Sequence, residues 1–302
     1  MTILAYFNRL MILRSLFLFT LCGCLISCSE PESDDPIVAD GGLERMVESP
    51  QSQQTTLDIC AITWMPFSYT VADKPTGIMV ELAEDIARNL GYQARFHFMS
   101  PQRCYSETQQ GHMHLSLFIS PLALARQGSQ LRAIEPSVQN QMPVLVVKQH
   151  SHLQSYSSLG ELSGKKIAAM RGNSFMLNNL GAGPEWIPVN QLDYLWQLLM
   201  SERVDATLGD FHSWVMLTPE QQHTVRFTLP PMIIEPIYWA GHQNKPQLLQ
   251  QFSRELTHRL SNGEVDRFYQ RHLGKSFTEL QQMIESNQYE YPIPMKKLPQ
   301  GI

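Results

Sequence analysis

Cysteine is scarce in this chain and badly placed for a metal. There are five among 302 residues, and Cys22, Cys24 and Cys28 all fall near the start. Only Cys60 and Cys104 are left for a folded body. No Cys-x-x-Cys pair and no Cys/His spacing of the zinc type occurs, so a zinc module is not indicated. Positive charge is also short. Lys and Arg number 23 against 28 Asp and Glu, a net charge of -5; a nucleic-acid partner would call for a basic face or an arginine stripe. The negative balance is mild and selects no substrate class. The apolar run from Leu16 to Ile26 is about a dozen residues, whereas crossing a bilayer takes about 20. Internal repeats and coiled-coil heptads are missing as well. What remains is a chain 43% hydrophobic and 17% charged, the composition of a globular body. Its length suits one large domain or two medium lobes.

The first 28 residues read as a targeting segment. Arg9 and Arg14 form a basic stretch before the apolar run. Met11 is an alternative start, because a basic residue and the whole run follow it. The run ends in Leu25-Ile26-Ser27-Cys28, which resembles the bacterial lipobox. Leu21-Cys22-Gly23-Cys24 is a poorer candidate, and an ordinary cleaved secretory signal is the plain alternative. The lipobox reading makes Cys28 the lipidated first residue of an exported protein, tethered to a bilayer without spanning it. Ser29, rather than Asp, follows the cysteine, which resembles default sorting to the outer membrane. Residues 29–56 are acidic and poor in large apolar residues, so they are expected to be a flexible linker. Export permits a Cys60–Cys104 disulfide. From sequence, two unpaired buried thiols are at least as well supported as a pairing.

Order begins at the β-type run Leu57–Ile62. Trp64-Met65-Pro66-Phe67 reads as a loop, since Pro66 lacks a donor and restricts Met65. Val80–Leu90 has helical spacing and stops at Gly91. Gln93–Met99 alternates as a strand, a short helix runs from Pro101 to Gly111, and Leu115–Ile119 is a buried strand. This β-α-β-α-β order predicts a parallel α/β sheet. Val144–Val147, Ile167–Met170 and Ala206–Gly209 are further strands, with an amphipathic helix over Asn190–Ser201. They form a second α/β unit. Strand Ile237–Ala240 and helices at about 246–262 and 264–272 follow. Prolines 292, 294 and 299 leave the end irregular.

These residues resemble the extracellular solute-binding proteins of the polar amino-acid type, family 3. The similar segments are Trp64-Met65-Pro66-Phe67-Ser68, Gly77 to Ala83, Gly164-Lys165-Lys166-Ile167 with Arg171-Gly172-Asn173-Ser174, Tyr194 with Arg203 to Ala206 and Asp210, and Asn262 to Gly274. Each is weak alone; their order over roughly 57–275 carries the resemblance. It implies an α/β, periplasmic-binding-protein-like fold of two α/β lobes joined by two hinge strands. Lobe I is expected from 57–146 and 238–285, lobe II from 147–237, and a C-terminal tail from 286–302. Val144–Lys148 and Pro236–Ala240 are the expected hinge segments. Ligand is expected in the cleft, at the carboxyl ends of strands.

The family grips an amino acid by its two charges. Aligning its lobe-one turn without a gap on Gly111-His112-Met113-His114 puts the family arginine at Arg126, the expected carboxylate fork. Asp210 is the expected ammonium partner. Ser174 and Asn173 are placed to donate to the carboxylate, though a plain helix cap fits them equally. Trp64 and Phe67 are candidate walls; core packing is the competing reading, favoured for Phe67. Three departures weaken lobe I. Ala123 stands for the family threonine, Pro121 cannot donate, and His114 replaces an aspartate.

His112-x-His114 and His150-x-His152 place two histidines on one strand face, but no third ligand, so no metal and no cofactor are expected. The function implied is binding of a small polar ligand, an amino acid or related carboxylate, for ABC-type uptake through an inner-membrane permease. A monomer is expected. The alternative is a ligand sensor or protein-interaction module feeding a membrane signalling protein. A cleft enzyme is the third reading, disfavoured because no Ser/His/Asp set or carboxylate pair is placed, and the chain ends soon after the binding lobes, leaving no room for a catalytic domain.

Overall fold

The computed structural model describes residues 55–126, 130–153, 155–156 and 158–292, apart from the side chains of Ser174 and Leu177. The signal segment, Cys28 and most of the expected linker lie outside these residues. The linker's last two residues do not: Thr55 and Thr56 already belong to β1 (Thr55–Ala61), paired with Tyr92 and Gln93.

Six strands, two of them a hairpin, and three helices come before the first crossing. After β1 come β2 (Tyr69–Val71) and β3 (Lys74–Thr76), α1 (Ile78–Asn89), β4 (Tyr92–Phe98), α2 (Pro101–Gln109), β5 (Leu115–Ile119), α3 (Pro121–Arg126) and β6 (Leu131–Gln141). β1 alternates as a two-sided strand should. Leu57, Ile59 and Ala61 join the core that buries the α1 residues Ile78, Leu82, Ala83 and Ile86. Cys60 faces the other way, into a cluster with Cys104, Tyr105 and Phe118. There Cys60 and Cys104 form a disulfide, with Cα atoms 5.7 Å apart. All five residues of β5 are buried, Ser116 included, which matches its reading as a buried strand.

The second unit holds β7 (Pro143–Lys148), β8 (Lys166–Met170), α4 (Ser174–Asn178), β9 (Glu185–Val189), α5 (Leu192–Met200), β10 (Ala206–Asp210), a 3₁₀ segment Phe211–Met216, α6 (Pro219–Thr224) and β11 (Val225–Phe227). The chain then returns through β12 (Glu235–His242) to α7 (Pro246–Ser261), α8 (Glu264–Leu273) and α9 (Phe277–Ser286). The first sheet runs β4-β1-β5-β12-β6 and the second β11-β7-β10-β8-β9. β1 is parallel to β4 and β5, and β12 is antiparallel to β5 and β6. In the second sheet β8 is parallel to β9 and β10, while β7 is antiparallel to β10 and β11.

The crossings fall earlier than the sequence suggested. Val144–Lys148 and Pro236–Ala240 were the expected hinge segments, but both sit inside sheets. Val144 pairs with Gly209 in the second sheet, and Pro236 with Asn140 in the first. The chain changes sheet at Met142 and again between Phe227 and Glu235. The lobe boundaries expected at 146 and 237 move with them. Apolar patterning shows that a segment is a buried strand but not which ladder it joins.

Candidate functional site

The Trp64–Phe67 loop is held down on the start of α1. The amides of Ile78 and Met79 donate to the carbonyls of Pro66 and Phe67, at 3.1 and 2.9 Å. Gly77 makes this approach possible. A Cβ there would lie 2.5 Å from the Phe67 carbonyl oxygen, and its φ of 118° suits glycine. The loop thus presents Trp64 and Phe67 from a rigid support, but in different settings. Phe67 is fully buried, packed against Trp64, Tyr269 and the His212 ring at 4.9 Å. His212 belongs to the second unit, so Phe67 packs between the lobes and is not an open wall for a ligand. Trp64 is only partly buried and meets Phe118 edge-on at 5.3 Å.

Arg126 ends α3, exposed. Its Nη1 donates to Asn178 Oδ1, 3.1 Å away at the end of α4. A lobe I guanidinium therefore reaches lobe II and meets a neutral amide oxygen there. Gln102, on α2, also faces across, with its Oε1 3.9 Å from the Cβ position of Gly172. Arg171 is turned to its own lobe, its Nε donating to Asn190 Oδ1 at 2.8 Å.

Asn173 caps α4, its Oδ1 accepting from the Met176 amide at 3.0 Å. Its oxygen is thus occupied in the way the cap reading anticipated. Ser174 opens the same helix; its side chain lies outside the described ones. Asp210 is engaged on both oxygens. Oδ2 accepts from the Met142 amide at 2.9 Å. Oδ1 accepts from the His212 amide at 3.0 Å and contacts His212 Nδ1 at 2.7 Å. The carboxyl group is a lobe II strand end tied to the first crossing. Its charge also adds to the burial that pushes the Tyr269 phenol well above its ordinary pKa.

Sequence reading singled out neither Asn178 nor Glu235. Glu235 opens β12 at the second crossing, and burial raises its carboxyl above the usual range. No motif marks it. Among the described residues no group of three or more candidate metal ligands is placed together. His114 Nδ1 accepts from the Asp58 amide at 3.0 Å, and His112 Nδ1 contacts Glu107 at 2.9 Å. A separate concavity of about 560 Å³, lined by Arg132, Glu135, Gln250 and Ser253 among others, lies between β6 and α7, away from these residues.

Two α/β units joined by two crossings, with polar side chains facing between them, define a ligand-binding architecture. The family model of bacterial extracellular solute-binding proteins, family 3, matches residues 59–275. The chain belongs to that family. A search of curated protein sequences finds no match. Among solved structures, the chain is similar to the substrate-binding protein of an amino acid ABC transporter, with 16% identity, TM-score 0.61, and 73% of this chain and 100% of that one covered. An ancestral arginine-binding protein bound to glutamine gives 23% identity, TM-score 0.60 and coverage of 73% and 98%. A histidine kinase sensor domain with similarity to periplasmic binding proteins gives 18%, 0.63, and 74% and 98%. At these identities the likeness concerns the fold. Among the described residues no helix is long and apolar enough to cross a membrane.

Proposed function

We propose that this protein is a receptor of the cell envelope, lipid-anchored through Cys28. In this reading it closes its two lobes on a small amino acid or related carboxylate and presents it to an inner-membrane ABC permease. The observation that carries the reading is the reach of Arg126 from lobe I to Asn178 of lobe II at 3.1 Å. An exposed guanidinium held, among the described residues, by one neutral amide retains donors for a planar carboxylate, which suits bidentate geometry. A carboxylate between Arg126 and lobe II touches both lobes, and a ligand that does so favours the closed state. Trp64 offers a partly open aromatic surface on lobe I.

A thermal-shift screen of the full chain in detergent tests this, using amino acids, polyamines and small carboxylates. A ligand at a hundred times its dissociation constant adds about 2.7 kcal/mol of stability. The reading expects one amino acid or carboxylate to raise the melting temperature, and Arg126→Ala to abolish the shift. A shift that survives Arg126→Ala removes the clamp. The sensor alternative draws on the likeness to a kinase sensor domain and on the donor lost at Pro121. Co-purification discriminates: a permease partner supports uptake, and a kinase or cyclase supports sensing.

A further inference from the structure

The family pattern hands the ligand's cation to Asp210, yet both oxygens of that carboxyl are taken by protein donors. Arg126 and Arg171 are likewise engaged, by Asn178 and Asn190. Glu235 differs. It is the first residue of β12 and stands opposite Gln141 in the β6 ladder. β12 is antiparallel to β5 and reaches its last residue, Ile119, at Tyr238. Three residues earlier, Glu235 lies past the carboxyl end of β5, the end at which open α/β sheets take ligands.

Strand alternation fixes its side. Ile237, two residues on, is buried in the cluster of Tyr105 and Phe118. Glu235 shares that face, and its charge adds to the burial that raises the Tyr105 phenol. That cluster also packs against Trp64. The Glu235 carboxyl is partly buried, and burial raises its pKa with no donor or cation to oppose it. Among the described residues its side chain has no hydrogen bond and no ion pair, and its charge is felt by the Tyr105 phenol. Partial burial of an unpaired carboxyl works against folding, and a carboxyl kept so at a strand end facing the cleft is poised for a ligand.

We propose that Glu235 receives the cationic group of the ligand, and that Asp210 is a positioning residue that pins the first crossing. The ligand then carries a carboxylate for Arg126 and an α-ammonium group for Glu235. This rests on the cleft being an amino-acid-type site.

Calorimetric titration of the full chain with each of the twenty standard L-amino acids tests it, together with Glu235→Gln and Asp210→Asn. For the amino acid that binds the wild type most tightly, Glu235→Gln is expected to weaken binding about ten- to a hundredfold, the loss of one hydrogen bond to a charged group. The des-amino analogue is expected to bind wild type and Glu235→Gln alike. Glu235→Gln is expected to melt no lower than wild type, so lost binding is not unfolding. Unchanged affinity in Glu235→Gln overturns the assignment while leaving the cleft reading intact. Equal weakening of the des-amino analogue also overturns it, because the effect is then not on the amine. A wild type that binds none of the twenty removes the amino-acid reading of the cleft, and this assignment with it.

Discussion

Tyr291 lies flat on Trp214, with ring centroids 3.7 Å apart and planes within 9°. Its hydroxyl accepts from the Phe227 amide at 3.2 Å, and Tyr289 packs on Phe211 at 5.9 Å. The two tyrosines follow α9, which packs on α8 of lobe I, while Trp214, Phe211 and Phe227 belong to lobe II. The segment after α9 is therefore a third link between the lobes, held by side-chain packing and one hydrogen bond. Tyr291→Ala is expected to destabilise the protein by about 2–4 kcal/mol, through lost burial and stacking. Tyr291→Phe keeps the ring, is expected to cost about 1 kcal/mol, and should speed hydrogen exchange at the Phe227 amide. Urea unfolding of both variants with amide exchange on the second checks this; a wild-type exchange rate at Phe227 in Tyr291→Phe rules out the bond.

The Cys60–Cys104 disulfide closes a loop of 44 residues that contains α1, β4 and the Trp64–Phe67 loop. In the chain-entropy account a loop of this length contributes about 4 kcal/mol by restricting the unfolded chain. Cys60→Ser with Cys104→Ser is expected to lose up to that amount, and the wild type is expected to lose it in strong reductant. Denaturant midpoints with and without reductant measure it. A double variant as stable as wild type means the bridge is not formed in the exported protein.

The sequence showed the lobes more clearly than the joints between them. Leu115–Ile119 is legible because a short run with four apolar residues out of five matches a strand buried on both faces. The start and stop of α1 are legible in Gly77 and Gly91, both at positive φ. β6 is not, because Pro136 sits in its middle and reads as a break. β6 is an edge strand, where a missing donor is tolerated. Helix α9 carries a readable signal in its own sequence. Ser276 and Glu279 form a capping box, and Phe277, Leu280 and Met283 are its buried face. At the site, the family resemblance pointed to Arg126, which the structure places at the end of α3. Spacing says nothing of the Met142 amide that reaches Asp210 from 68 positions away, nor of Asn178 in the other lobe.

Asp210 gives a test of that long-range contact. Asp210→Asn retains one acceptor oxygen and turns an amide NH₂ toward either the Met142 or the His212 amide. One buried donor then loses its partner, at a cost of about 1–3 kcal/mol. The melting temperature is expected to fall, and affinity for an amine-bearing ligand to fall less than in Glu235→Gln. A large loss of affinity with an unchanged melting temperature would instead make Asp210 the ligand's own partner.

Asp58 links acid stability to the first sheet. It lies in β1 opposite Arg95 of β4, and Arg95 Nε and His97 Nε2 reach its Oδ1 at 2.6 and 2.7 Å. The hydrogen bond from the Arg95 guanidinium, with a smaller one from His97, outweighs burial and holds the carboxyl at about 2. A carboxyl whose folded pKa lies below its unfolded value adds stability above the unfolded pKa, and that stability is lost as pH falls through the folded value. The window here runs from about pH 4 down to about pH 2. Arg95 is largely exposed, so solvent screening reduces the contribution to about 1 kcal/mol. Asp58→Asn is thus expected to be less stable than wild type by about that amount at pH 7, with the gap closing toward pH 2. Urea unfolding at intervals of one pH unit measures it. A gap that stays constant across the range assigns the loss to packing rather than to the ionised pair.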